Sequence, residues 1–155
     1  MNFQLEMLLQ GRKNLLSLLK PYSDEQLNTI PTGFKNNLIW NLGHVIVSHQ
    51  VLCYKFCGLS AAISDEYINK FRKGTIPGPP VNSSNIDYLK TLALETVDVF
   101  IDDYRKGIFK QYQTYQSMYG VSLTCIEDAI EFNNTHEGLH IGYVMAMCKS
   151  PDLEL

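Results

Sequence analysis

The sequence predicts an all-α fold: an up-and-down bundle of four long helices, with short extra helices and one long mid-chain Gly/Pro loop. Three observations predict it. Apolar residues recur at spacings of three and four over four separate stretches, the period of a helix that buries one face. No stretch sustains the period-two alternation of a strand, and no internal repeat is present. Prolines and glycines fall between the periodic stretches, at Pro21, Pro31, Gly58, Gly107, Gly120 and Pro151. With 155 residues the chain has the size of a single domain over 1–155 that can bury a sizeable core.

The first helix spans residues 2 to about 20, with Phe3, Met7, Leu8, Leu15, Leu18 and Leu19 as its apolar positions, and Pro21 ends it. Ser23-Asp24-Glu25-Gln26 fits a capping box that opens a short helical turn before Pro31 and Gly33. A second long helix is expected from Asn36 to Cys57, ending at Gly58, and a short one within 60–71 with Tyr67, Ile68 and Phe71 on its apolar side. Arg72 to Pro80 holds two glycines and three prolines, a loop of the length that often covers a site. Ser84-Asn85 caps the third long helix, with Ile86, Leu89, Ala93, Val97, Phe100 and Tyr104 on its apolar face. The Tyr- and Gln-rich stretch to Gly120 reads as helix and then loop. Thr124-Cys125-Ile126-Glu127 reads as a second capping box, opening a fourth long helix that ends near Lys149.

Composition excludes several classes of function. A formal charge of -3 and no run of like charges give no basis for binding nucleic acid or an anionic membrane. Glu6 and Gln10 interrupt the apolar N-terminal stretch, so a signal-peptide core is not expected. No apolar run approaches the roughly 20 residues of a membrane span. A cytoplasmic protein is the expectation, with Cys53, Cys57, Cys125 and Cys148 as reduced thiols, the first two as buried apolar filler.

Chemistry concentrates near the C-terminus, in Asn133-Asn134-Thr135-His136-Glu137-Gly138-Leu139-His140-Ile141-Gly142-Tyr143. At about 100° per residue, His136 and His140 point roughly 40° apart on successive turns, so two imidazoles can grip one metal ion. They equally fit two half-buried helix histidines. His136-Glu137-Gly138-Leu139-His140 also matches the H-E-x-x-H pattern of zinc peptidases. The peptidase reading fails on context: the metzincin extension requires Gly and His where this chain has Tyr143 and Ala146, and the one downstream glutamate, Glu154, lies past the helix. A third ligand must come from earlier in the chain. On the second long helix His44 shares a face with Asn37, Trp40, Ser48, Val51 and Lys55, whereas His49 falls about 140° away and contributes only surface polarity. Three neutral imidazoles suit zinc, nickel, copper or iron(II) and leave a coordination position open, the pattern of catalytic sites. Ligation requires neutral histidine, so binding should weaken as pH falls through about 6 to 7. Asn133 and Tyr143 project within about 40° of the bisector of the His136–His140 pair, and Glu137 about 80° from it. Asn133 and Tyr143 could orient a ligand, or pack at the core edge; Glu137 could back up a ligand, or face water.

Trp40-Asn41-Leu42-Gly43-His44 resembles the W-x-x-G-H start of the second helix in DinB-like (YfiT-like) proteins, and His136 to Gly142 is similar to their H-x-x-x-H segment. Phe71-Arg72-Lys73-Gly74-Thr75, followed by prolines, resembles their mid-chain loop. The resemblance runs from the first long helix to the fourth. It implies a four-helix bundle with a divalent metal site, His44, His136 and His140 as ligands, and often a homodimer. It also implies a small-molecule enzyme. Some relatives are thiol-dependent transferases or isomerases in which the metal (zinc, nickel or iron) activates a low-molecular-weight thiol. A metal-activated water would instead make a hydrolase, and a non-catalytic metal-stabilised binding or stress-response module is the rival reading. The tyrosines of the 104–119 stretch exceed what one helix face can bury, which also favours a homodimer.

Overall fold

The computed structural model describes residues 1–154. Six α-helices are present: α1 (Asn2–Leu19), α2 (Asp24–Asn28), α3 (Leu38–Cys53), α4 (Asp65–Phe71), α5 (Ser83–Lys106) and α6 (Ile126–Met147). Two short 3₁₀ turns, Lys55–Cys57 and Pro151–Leu153, and an antiparallel pair of two-residue strands, β1 (Tyr115–Gln116) and β2 (Ser122–Leu123), complete the described elements. The four long helices form the bundle, with α6 packed on α1 and α3, and α5 packed on the same two from the other side. Cross-links fix their directions. Asn134 Nδ2 donates to Gln4 O and Arg12 binds Glu137, so α1 and α6 run together. Asn41 reaches both His140 and Met147 while His44 meets His136, so α3 opposes α6. Tyr54 and His49 at the end of α3 meet Asp103 and Phe100 at the end of α5, so those two are parallel. The up-and-down order is therefore up, down, down, up.

Two parallel helices in succession need a return connection, and residues 54–82 supply it. The chain climbs back along α3: Gln50 Oε1 accepts from Ala62 N, Phe71 packs beside His44, and Val81 pairs with Asn28 before α5 begins. The long Gly/Pro loop is thus laid against the helix that carries His44.

The sequence-expected elements hold with several shifts. The Ser23 capping box is present in both directions. α3 is N-capped by Asn37 and stops at Cys53, and the chain reaches left-handed Gly58 through the first 3₁₀ turn. α5 is capped by Asn82 rather than by Ser84-Asn85, because the Asn82 side chain accepts from Asn85 N. The second capping box does not form. Cys125 occupies the N-cap with no side-chain bond, and Asp128 instead accepts from both the Thr124 N–H and its hydroxyl. The helix expected directly after Gly107 does not form. Residues 108–114 run as coil, where Gln113 N bonds Phe56 O, and lead into the small hairpin. In α1 the inward series is Leu5, Leu8, Arg12, Leu15 and Leu19, whereas Phe3 and Met7 face out.

That series places an arginine where the period calls for a leucine. Arg12 is fully buried. Its Nε and one terminal nitrogen donate to the two carboxylate oxygens of Glu137 at 2.6 and 2.7 Å. The remaining donors reach Val45 O at 2.9 Å and Ala93 O at 3.3 Å. One guanidinium therefore joins α1 to α3, α5 and α6. Asn133 Nδ2 adds a third bond to Glu137 at 2.8 Å. Removing one partner of a buried pair leaves an uncompensated charge, which costs about 3–5 kcal/mol. Arg12→Ala should lower the urea-unfolding free energy by that amount, and Arg12→Met combined with Glu137→Met should recover most of it. A loss below about 1 kcal/mol in Arg12→Ala would show that the pair is not holding the four helices together.

Candidate metal centre

His44, His136 and His140 converge between α3 and α6, one possible ligand atom from each lying within 4.8 Å of the others. Ring centroids are 5.2 Å apart for His44–His136, 4.7 Å for His44–His140 and 4.6 Å for His136–His140. Two of the imidazoles are oriented by oxygens that can only accept. His44 Nδ1 donates to Phe71 O at 2.7 Å, and His140 Nδ1 donates to Asn41 Oδ1 at 2.8 Å. Each therefore carries its proton on Nδ1 and presents the Nε2 lone pair. Asn41 is itself held the right way round, because its Nδ2 donates to Asn37 O. His136 Nδ1 is buried with no hydrogen-bond partner. The donor set is thus three neutral nitrogens, two of them backed by oxygen acceptors, the usual support for metal-ligating histidine. It fits zinc, nickel or iron.

Local sequence explains the setting of His44. A Cβ on Gly43 would lie 2.5 Å from the Phe71 ring, so the absence of a side chain admits Phe71 against α3. With Phe71 seated and buried, its carbonyl meets His44. Trp40 stacks on the His44 ring at 4.7 Å and 8°, and its indole N–H donates to Thr75 Oγ1. The single Thr75 hydroxyl proton is in turn shared between the carbonyls of Arg72 at 2.8 Å and Lys70 at 3.0 Å. Tryptophan, glycine and histidine at these spacings form one device that ties the loop to His44.

Beside the histidines opens a cavity of about 630 Å³. Its walls are mostly apolar, from Val47, Val51, Leu52, Phe56, Met118 and Phe132. Polar groups are few: the three imidazoles, Ser48, Tyr115 and Tyr119, with Arg72 and Lys73 from the loop. Ser48 Oγ stands 3.2 Å from His44 Nε2. Tyr119 packs on Phe132, which stacks on His136, so the hairpin forms part of the roof.

Asn133, Glu137 and Tyr143 do not line this cavity. Asn133 and Glu137 are buried and bonded to each other, with Glu137 held by Arg12 rather than facing water or backing a ligand. Tyr143 sits edge-on to Phe34 at the surface. His49 does point away from the cluster, but it is no surface residue. It is fully buried, edge-on to Phe100 at 4.6 Å, with neither ring nitrogen hydrogen-bonded. The sequence reading gives Asn41, Phe71 and Arg12 no part in orienting the histidines, which the structure assigns to them. Arg12 carried a readable signal, a charge in register with Leu5, Leu8, Leu15 and Leu19.

These features define a helical bundle with a three-histidine cluster at the edge of an apolar cavity. The DinB superfamily profile matches residues 7–144, and the chain belongs to that superfamily. No curated protein matches it. No described helix is long and apolar enough to cross a membrane.

Burial holds the four histidines neutral. His44 is lowered by desolvation against the opposing bond to Phe71 O. His136 falls to about 4 through desolvation, with His44 and Arg12 adding to it, and His140 to about 3 through desolvation and its two neighbours. The fold therefore moves proton competition at the cluster below the range expected for free histidine. His49 is lowered well below its ordinary value by complete burial, aided by Arg12. The unfolded chain takes up protons near pH 6.5 that the folded chain refuses, so this stability is present above pH 6.5 and declines as pH falls below it. Each such histidine contributes a slope of about 1.4 kcal/mol per pH unit. For metal-free protein, urea unfolding between pH 6.5 and 5 should show this decline, shallower by about one histidine's slope in His49→Phe. An unchanged slope in that variant would mean that His49 is protonated in the folded chain.

Proposed function

We propose that this chain is a divalent-metal-dependent small-molecule enzyme, a thiol-dependent transferase or related activity, with His44, His136 and His140 as the metal ligands. The observation that carries this reading is the convergence of three neutral imidazoles beside a cavity large enough for a small organic molecule. A zinc, nickel or iron ion bound there would supply Lewis acidity, deprotonating a coordinated thiol or lowering the pKa of a coordinated water. The protein's own groups do the rest. Phe71 O and Asn41 Oδ1 hold two ligand rings in one tautomer. The Ser48 hydroxyl is within reach of whatever lies next to His44 Nε2, and the apolar walls keep water from the reacting groups. The four free cysteines support a cytoplasmic setting, where low-molecular-weight thiols are available as cosubstrates.

The decisive experiment loads the protein with cobalt and titrates 2-mercaptoethanol while following near-ultraviolet absorption. A thiolate-to-cobalt charge-transfer band should grow in saturably. Bound cobalt that never develops the band would favour the rival, a metal that merely stabilises a binding module. His44→Ala, His136→Ala and His140→Ala should each lose stoichiometric metal after dialysis, and Asn41→Ala should weaken binding by about 10–100-fold. His49→Phe should bind as the parent does. Normal binding in His44→Ala would remove α3 from the site.

We also propose a homodimer, on different grounds from the tyrosine excess. Tyr104, Tyr112 and Tyr115 are absorbed within the chain, against Phe56, Phe100 and the Glu127 carboxylate. Among the large apolar side chains that are exposed, α6 contributes Leu139, Tyr143 and Met145 around its outer surface. Sedimentation at micromolar concentration should give twice the 17.7 kDa chain mass, and Met145→Glu should shift it toward the monomer. A monomeric parent would end the proposal.

A further inference from the structure

We propose that the molecule taken into the cavity is an apolar anion, a carboxylate or phosphate on a hydrocarbon body, whose charged end is held by Arg72 and Lys73. This rests on reading the cavity as the substrate site and adds the substrate's chemical class. The charge distribution is the first support. The chain carries a formal charge of -3, with 16 acidic residues against 13 basic. Yet the cavity is lined by Arg72 and Lys73 and by no aspartate or glutamate. Chance placement on an acidic protein would more often put at least one carboxylate there.

Both cations are also free to act. The ion pairs among the described residues are Arg12–Glu137, Lys55–Asp65, Lys90–Asp87 and Lys106–Asp103, and none engages Arg72 or Lys73. The two side chains are exposed at the cavity, while the rest of its wall is largely hydrocarbon. An arginine offers a planar fork that matches the two oxygens of a carboxylate or phosphate, and a neighbouring lysine adds a point charge.

The backbone beneath them is pinned. Arg72 N donates to Ile68 O at the end of α4, and Arg72 O accepts from Thr75 N and the Thr75 hydroxyl. Thr75 is tied to Trp40, and the preceding carbonyl, Phe71 O, receives His44 Nδ1. The cationic pair therefore starts one residue from the carbonyl that orients a histidine of the cluster. An apolar anion bound by its head at Arg72 and Lys73 is thus held at the His44 end of the cavity, with Ile68, Val47 and Val51 in the wall for its body.

The test uses four probes with one decyl chain and different heads: decanoate, decyl phosphate, 1-decanol and decyltrimethylammonium. Each is titrated calorimetrically into metal-free and zinc-loaded protein. Decanoate or decyl phosphate should bind the metal-free protein about tenfold or more tighter than decanol, and the ammonium should bind weakest. The tighter of the two anions identifies the head group. The double variant Arg72→Gln with Lys73→Gln should bring the anions down to the affinity of decanol and leave decanol unchanged. Arg72→Glu with Lys73→Glu should invert the order in favour of the ammonium. Because the preference is read without metal, it stands or falls independently of the cobalt–thiol result. Equal affinities for anion and alcohol, a preference that survives the double variant, a preference present only with zinc, or no binding of any probe would each overturn the proposal.

Discussion

The bidentate contact between Arg12 and Glu137 is the constraint on which the site depends. Glu137 sits between His136 and His140 on α6, so fixing its direction fixes the rotation of that helix about its axis. With Glu137 turned inward to α1, the two histidines on either side of it in sequence are turned to α3. The same guanidinium holds the carbonyl of Val45, the residue after His44. A single buried side chain thus sets the azimuth of one histidine-bearing helix and clamps the backbone of the other. Desolvating two charges offsets much of their attraction, and a hydrophobic pair of similar volume could stabilise the bundle as well. What the ion pair provides is registry, since leucines at these positions would tolerate a rotated or slipped α6 with the histidines aimed elsewhere.

A second constraint follows from topology. Because α3 and α5 are parallel, the chain must travel the length of α3 between them, and α4 with its loop is that passage. The passage needs close contact with α3, and Gly43 makes the contact possible by leaving room for the Phe71 ring. The oxygen that orients His44 is therefore a consequence of how the crossover is packed. The connection that the bundle requires in any case also brings Arg72 and Lys73 to the cavity, outside the core.

Much of this was legible from one sequence because helical period is a local property. The four long helices, the capping box at Ser23 and the turning of His44 rather than His49 toward the other two histidines all follow from spacing alone. What spacing left out was the identity of the partner across the bundle. Asn133 and Glu137 lie near the histidines in angle, but angle on one helix does not say which neighbour a side chain meets, and α1 claimed them both. Spacing alone places His49 at the surface because it opposes His44. In a helix buried on nearly every side, the far side is also core. The 108–123 stretch was missed for a different reason. Its tyrosines have no helical period of their own and are ordered by packing on Phe56 and by the Gln113–Phe56 backbone bond, which are tertiary contacts.

The fate of Glu137 shows how far a short motif depends on such contacts. In a zinc peptidase the glutamate of H-E-x-x-H must be free to reach a water in front of the metal. Here the same five-residue pattern places the carboxylate in a double hydrogen bond with a buried arginine and a third bond with Asn133. It cannot swing to the cavity without abandoning the guanidinium in the core, a cost of several kcal/mol. The residue that decides between the two chemistries is therefore 125 positions upstream, on α1. With the glutamate withdrawn, no aspartate or glutamate lines the cavity. Structure and charge agree on this point: the same withdrawal that excludes a peptidase leaves an apolar, positively edged chamber beside three neutral imidazoles.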